Sequence, residues 1–420
     1  MASTVSTFDF ALKERYTDRQ IVENLCFSDR VTMGKLGKDT ELMGRGHPIP
    51  VIIRAPLGIS VSLQNAQTNE TTNSGVAGNV KGVEFMVKNG KIAAAVDIGE
   101  EAIRASRGNP GAFLQDKQAE IDGLYGGVAD VMAAAVQSNG TNVLGYSNAT
   151  VTTTTITFAN PSDVMYFETD MLLEASVASG SSTSDVLLAG TAYVTGRNLN
   201  AGTITINALP AAWNAAGVLY FFRAGTFMGN VGQFITHGFG SYVDPSSTPP
   251  AVYGVTAAQR LAELQRLSGV HLTSTEVAGL GTEVRMQMLG AKMTGRAKGP
   301  GGKFWTMHPE NWQQLAISLQ SRGQRPLTDN STSFGYEYLE IVAGGVRGEV
   351  YADRFNPYGF ARCWKLDSFT LMSMGELIGP LTGDGLQMLR KSTTNDFEYR
   401  LVSFPAVSCN APGWNGQTAV

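Results

Sequence analysis

The residues best suited to chemistry are scattered, and each group fails a requirement of the chemistry it suggests. Gly301-Gly302-Lys303 offers the dipeptide that ends a phosphate-binding loop. Such a loop needs a glycine where Ala297 stands and a magnesium-binding hydroxyl where Phe304 stands. The segment also follows an expected helix and precedes an expected strand, the reverse of the order required. Gly145-Tyr-Ser147-Asn-Ala149 approaches a serine nucleophile elbow but ends in Ala where that motif needs Gly. His47, His237, His271 and His308 are never paired four apart or joined by a nearby cysteine, so they form no metal-ligand spacing. His308, just before Pro309, reads as a helix cap. Glu100 and Glu101 read as first-turn residues of a helix, where the dipole favours negative charge. Cys26, Cys363 and Cys409 are odd in number and far apart, which suits reduced thiols and no disulfide framework. Trp305 and Trp312 read as core aromatics. The expectation is therefore no catalytic residue, no cofactor-binding residue and no metal ligand, in a protein that is not an enzyme.

The totals fit a protein that buries itself against others. The chain has 420 residues, enough for more than one domain, and is 43% hydrophobic, which permits a sizeable core. Charged residues are only 16%, below the usual share of about 25%. The 48 glycines, with many Thr, Ser and Asn, favour strands and turns over a helical bundle. Net charge is -4, and no lysine or arginine block makes a nucleic-acid footprint. No basic stretch followed by an apolar run opens the sequence, so no signal peptide is expected. No apolar run reaches the roughly 18 residues of a membrane span. The sequons at Asn69, Asn148 and Asn330 are accordingly read as unglycosylated.

Periodicity then assigns the elements. Residues 8–30 suggest a short amphipathic helix in an arm too poor in apolar surface for its own core. Residues 51–97 suggest a long hairpin: an outgoing part over 51–63, a polar tip over 64–79 and a return strand over 83–96. The tip carries so little apolar surface that it should be mobile in a free subunit and ordered only in an assembly. Residues 98–138 suggest helix with a break at 108–111, and Gly123, Gly126 and Gly127 suggest close approach of another backbone. Residues 145–227 read as all β, with strands over 151–158, 171–175, 191–196, 203–206 and 218–223, in the manner of a small barrel or sandwich. A helix is expected over 256–267. Thr273-Ser-Thr-Glu276 is a capping box, with Val277, Leu280, Val284, Met288 and Ala291 on one face of a helix ending at Gly295. A buried strand over 303–307, a helix from Pro309 carrying Trp312, Leu315 and Leu319, and strands from residue 338 onward complete the chain.

Several phrases, in order, resemble the major capsid proteins of tailed bacteriophages, in the branch with an inserted β domain. They are Leu12-Lys-Glu-Arg-Tyr16, Pro48-Ile-Pro-Val-Ile52 and Gln64-Asn-Ala-Gln67; then Gly111-Ala-Phe-Leu-Gln-Asp116 and Glu120-Ile-Asp122. Within the β region they are Met171-Leu-Leu-Glu-Ala175, Tyr193-Val-Thr-Gly-Arg197, Gly202-Thr-Ile-Thr-Ile206 and Tyr220-Phe-Phe-Arg-Ala-Gly225. Tyr351-Ala-Asp-Arg-Phe-Asn-Pro-Tyr-Gly359 and Asp396-Phe-Glu-Tyr-Arg400 follow. The likeness spans nearly the whole chain.

The resemblance implies an α+β capsid fold: an N-terminal arm at 1–50, an extended β-hairpin loop at 51–97 and the long spine helix of a peripheral domain at 98–140. An inserted small β-barrel-like domain would occupy 141–228. The axial domain and the rest of the peripheral domain would occupy 229–420. It implies self-assembly into hexamers and pentamers that enclose double-stranded DNA, in a virion assembled in the host bacterial cytoplasm. The acidic balance is compatible with that, since like charge keeps a shell from sticking to packaged DNA. Implied partners are copies of the chain, a portal, decoration proteins and a separate scaffolding protein, because no long scaffolding region precedes the arm. Packaged DNA would be a non-specific neighbour, and no membrane is involved. Some relatives join a loop lysine to a neighbour's asparagine. Here Lys81, Lys88 and Lys91 lie on the return strand rather than the tip, and no covalent cross-link is expected. The alternative reading is a β-rich adhesin or carbohydrate-binding surface protein using the β region.

Overall fold

A computed structural model describes residues 30–42, 44, 46–54, 59–71, 81–99, 110–180, 185–227, 237–244, 249–297, 302–321, 338–381, 388–391 and 396–420. The expected arm helix up to residue 29, Cys26, Glu100, Glu101, the start of the helix break, Gly301 and Asn330 lie outside them.

A helix of 28 residues, Pro110–Gln137, organises the largest core. Ile121, Tyr125, Val128, Met132 and Val136 recur every three or four residues and are buried. They pack against strand Ile92–Ile98, which runs antiparallel to Phe397–Ser403 with Ile98 opposite Phe397 and Ile92 opposite Ser403. The phenol oxygens of Tyr125 and Tyr399 meet at 3.1 Å, so both polar tips are satisfied inside this core. Gly37–Asp39, Phe369–Ser373 and Pro405–Cys409 form a three-stranded sheet beside it.

A second core lies between a six-stranded mixed sheet and two helices, Thr282–Ala297 and Pro309–Ser321. The strand order is Val270–Leu272, Gly416–Ala419, Phe360–Trp364, Phe304–Met307, Val346–Ala352 and Leu339–Ala343. Phe304–Met307 is buried at every position, as a strand covered on both faces must be.

A third core belongs to residues 145–223 alone. Six antiparallel strands run in the order Gly145–Tyr146, Tyr220–Arg223, Leu172–Ser176, Ala192–Asn198, Thr203–Ile206 and Thr155–Thr157. An isolated bridge between Ser147 and Phe158 brings the ends of that order together, closing the path of pairings. Trp213, Phe158, Phe167, Phe221, Leu173 and Ile204 fill the interior.

The hairpin departs from its sequence reading. His47–Arg54 pairs with Lys81–Val87, His47 opposite Val87. The return does not continue to residue 96. Asn89-Gly90 interrupts it, the Gly90 N–H donates to the Pro405 carbonyl at 2.7 Å, and Ile92–Ile98 pairs elsewhere. The tip is not all loop: Leu63–Thr71 is helical, started by the Ser62 hydroxyl accepting from the Asn65 N–H at 3.3 Å.

The capping box at Thr273 and Glu276 forms in both directions, at 2.9 and 3.3 Å, but residues 274–279 form only a run of turn and no helix. Gly279, at φ +75°, breaks the run, and the helix restarts at Thr282. The restart shifts its phase, so Met286, Leu289 and Met293 are buried while Val284 and Met288 are exposed. It also runs past Gly295 to Ala297. The helix expected over 256–267 is two short ones, Ala257–Ala262 and Leu264–Leu267, the first with its own capping box from Thr256 and Gln259.

The glycines of the long helix do not receive another backbone. A Cβ at Gly123, Gly126 or Gly127 would meet nothing within 4 Å. The close approach occurs instead at Gly290, where a Cβ would lie 2.4 Å from the Ala343 Cβ and 2.7 Å from its carbonyl carbon. Gly127→Ala should therefore stabilise the subunit by roughly 1 kcal/mol, through helix propensity alone. Gly290→Ala should destabilise it by about 1–3 kcal/mol, through overpacking. Urea unfolding of the two variants checks this, and shifts of the same sign would contradict it.

Candidate functional site

The residues singled out for chemistry fall on separate elements. Gly302 is a glycine because a Cβ there would lie 2.3 Å from the Trp364 carbonyl oxygen; it is a packing contact beside Phe304–Met307. Ser147 is buried and held to Leu219 in both directions: its N–H donates to the Leu219 carbonyl at 2.8 Å, and its hydroxyl accepts from the Leu219 N–H at 2.9 Å. The His308 Nδ1 accepts from the Glu310 N–H at 3.4 Å, capping Pro309–Ser321. His237 is pushed down to about 4, chiefly by burial and then by the Arg260 charge. Trp305 lies in the second core, and the Trp312 indole N–H donates to the Val350 carbonyl at 3.1 Å. Cys363 and Cys409 are free and buried, and burial raises both thiols, Cys409 to about 12. Among the described residues no cluster of His, Cys, Asp and Glu could hold a metal.

The polar groups that do converge tie elements together. The Arg362 guanidinium donates to the Gln137 backbone carbonyl at 2.5 Å and to its side-chain oxygen at 2.8 Å, satisfying the open C-terminal end of the long helix. The Gln137 amide donates to Thr32 at 3.0 Å and to the Asp353 carboxylate at 3.2 Å, and the Thr32 hydroxyl also donates to Asp353. Burial pushes Arg362 down to about 9. About two and three turns earlier, Arg30 donates to Asp130 at 2.9 Å and to the Gly126 carbonyl at 2.9 Å, while Arg354 reaches Asp130 at 2.7 Å. This network ties the long helix to the short helix Val31–Lys35, to the loop after Val346–Ala352 and to strand Phe360–Trp364 as one frame. Sequence reading missed it because its members are far apart in the chain and individually ordinary.

Asp163 lies at the seam between the 145–223 unit and the frame. Burial raises its carboxyl to about 7, against a smaller lowering by an Asn160 hydrogen bond. The unfolded chain releases this proton near 3.8 and the folded one near 7. Between those values the native state binds more protons, so stability from this group is lost as pH rises. Asp163→Asn should raise the melting temperature at pH 8, above the folded value, and leave it nearly unchanged at pH 3.5, below the unfolded one. A gain that is the same at both pH values would contradict this origin.

Several large apolar side chains are exposed among the described residues. Ile59, Val61 and Leu63 alternate in the stretch that leaves the hairpin and are 83%, 102% and 76% exposed. The sequence reading had placed Val61 and Leu63 in the base of the hairpin strands; the paired strand instead ends at Arg54. Val342 is exposed on Leu339–Ala343, the edge of the six-stranded sheet, and Ile317 is exposed on its helix.

No family model matches the sequence, and no curated protein matches it. A solved structure does. A chain of the cyanophage A-1(L) capsid asymmetric unit superposes with a TM-score of 0.53, covering 93% of this chain and 92% of that one at 10% identity. The chain has a phage-capsid fold. Gordonia phage Cozz (TM-score 0.42, 12% identity, 93% and 86% covered) is a weaker match. So is the capsid of an empty GTA particle (0.45, 8% identity, 92% and 89% covered). The fold assignment rests on the first alone.

Proposed function

We propose that the chain is a major capsid protein, whose copies assemble into hexamers and pentamers of an icosahedral shell around phage double-stranded DNA. The likeness to a capsid chain over 93% of the length carries this reading. Its role is structural and not enzymatic. The exposed Ile59, Val61 and Leu63 support it, since they suit burial on a neighbouring copy. In this reading residues 1–50 are the arm, 51–97 the extended loop, 98–140 the spine of the peripheral domain, 141–228 an inserted β domain, and 229–420 the axial domain with the remaining peripheral strands. The contacts are heterologous, unlike patches meeting around closed rings. Further partners are a scaffolding protein, a portal and decoration proteins, with assembly in the host cytoplasm before the subunit resides in the virion. Neighbouring loops are held without a covalent cross-link. Sedimentation velocity of the full chain, alone and co-expressed with its phage's scaffolding protein, tests the reading. Ring- or shell-sized species are expected, and a strict monomer under both conditions would overturn it.

A further inference from the structure

A groove runs along one face of the long helix. Gly123, Gly127, Val131 and Ala134, each about a turn from the next, form its floor. Two adjoining cavities of about 380 and 460 Å³ make it up, and they share Gly127, Val131 and Arg223. The floor is open, since a Cβ at Gly123 or Gly127 would meet no atom within 4 Å.

One wall is the start of strand Ile92–Ile98. Four consecutive residues, Lys91 to Ala94, line the cavity, so the groove meets the edge of the strand and not one face of it. That strand pairs only with Phe397–Ser403; its other edge has no backbone partner among the described residues. An unpaired edge is a template for another strand.

The facing wall is basic and incompletely satisfied. The Arg223 Nε is buried with no hydrogen-bond partner, and so is the side-chain oxygen of Asn142, a residue only 9% exposed. Lys91, Arg197, Arg223 and Arg354 line the two cavities against Asp130 and Glu168. Asp130 is already taken by Arg30 and Arg354. The groove thus offers positive charge, an open strand edge and a floor of glycine and small apolar side chains.

We propose that this groove binds an extended acidic segment of a partner protein, which adds as a strand to the free edge of Ile92–Ile98 and places a carboxylate on Arg223. Strand addition supplies affinity through the main chain, and the charge selects the sequence. A carboxylate answers the incompletely satisfied Arg223 guanidinium with a charge-assisted bond. Small or β-branched residues between the acids suit the part of the floor made by Gly123 and Gly127. The inference concerns a partner, and the shell reading neither requires nor supplies it.

The test uses the full-length chain and a fluorescent hexapeptide of alternating valine and glutamate, followed by anisotropy. A valine–lysine hexapeptide and a thymidine oligonucleotide serve as comparisons. The wild-type chain should bind the glutamate peptide and not the lysine peptide. Gly127→Leu, which fills the floor while improving helix propensity, should weaken binding by roughly tenfold or more. Arg223→Gln should do the same. Melting curves confirm that both variants are folded. Three results would overturn the proposal: no binding of the glutamate peptide at millimolar concentration, unchanged affinity in folded Gly127→Leu, or equal binding by the oligonucleotide with mutual displacement.

Discussion

Replacing Ile59, Val61 and Leu63 together by serine is expected to abolish assembly and leave the free subunit as stable as before. All three side chains are largely or wholly in water in the single chain, so their loss removes almost no folding energy. Surface substitutions of this kind stay within about 0.5 kcal/mol. In a shell the same side chains would be covered, at about 1.5–3 kcal/mol each. Three of them amount to roughly 5 kcal/mol or more at every subunit contact, which is more than a thousandfold in each association step. Light scattering of an assembly reaction, beside thermal melting of the subunit, reads both quantities. Normal shells from the triple variant would mean that this stretch does not seat on a neighbour. A large fall in melting temperature would mean that it packs on its own chain.

Trp213→Ala is expected to unfold the 145–223 unit selectively. Trp213 is wholly buried in a core shared with Phe158, Phe167 and Phe221, its ring centroid 5.9 Å from that of Phe221. Truncating a buried tryptophan costs about 3–5 kcal/mol. A domain of this size has a total stability of the same order, so the unit should lose its fold while the other two cores keep theirs. The indole N–H has no partner, so Trp213→Phe should be far milder. For the same reason, a fragment of residues 141–228 should fold alone. Its amide spectrum should be dispersed and its melting cooperative. A variant that lowers one single transition of the whole chain, together with a fragment lacking dispersed amides, would show that the unit is held up by the rest.

What was legible in the sequence follows from how local its cause is. Phe304–Met307 reads as a buried strand because four consecutive non-charged residues stand between Gly302 and Pro309. The long helix and the strands over 192–223 read through their own periodicity. Gly416–Ala419 was missed because Gly-Gln-Thr-Ala has no apolar pattern; it is a strand only because Val270–Leu272 and Phe360–Trp364 flank it. The face of Thr282–Ala297 was misread because one left-handed glycine resets a phase that sequence spacing carries straight through. The functional surface was legible only in part. Val61 and Leu63 look like ordinary strand residues until the pairing is seen to stop at Arg54. Gly123 and Gly127 look like contact glycines until the space above them is seen to be empty. The Arg362–Gln137–Asp353 frame joins residues 216 and more apart, beyond any local pattern.

Electron microscopy of the full chain tests the central claim most directly. Negatively stained preparations, made with and without the phage's scaffolding protein, should show closed shells, or six- and five-fold rings where closure is incomplete. The Ile59, Val61 and Leu63 serine variant should show neither. Fields containing only small, unassociated particles of the wild-type chain in both preparations would contradict the account.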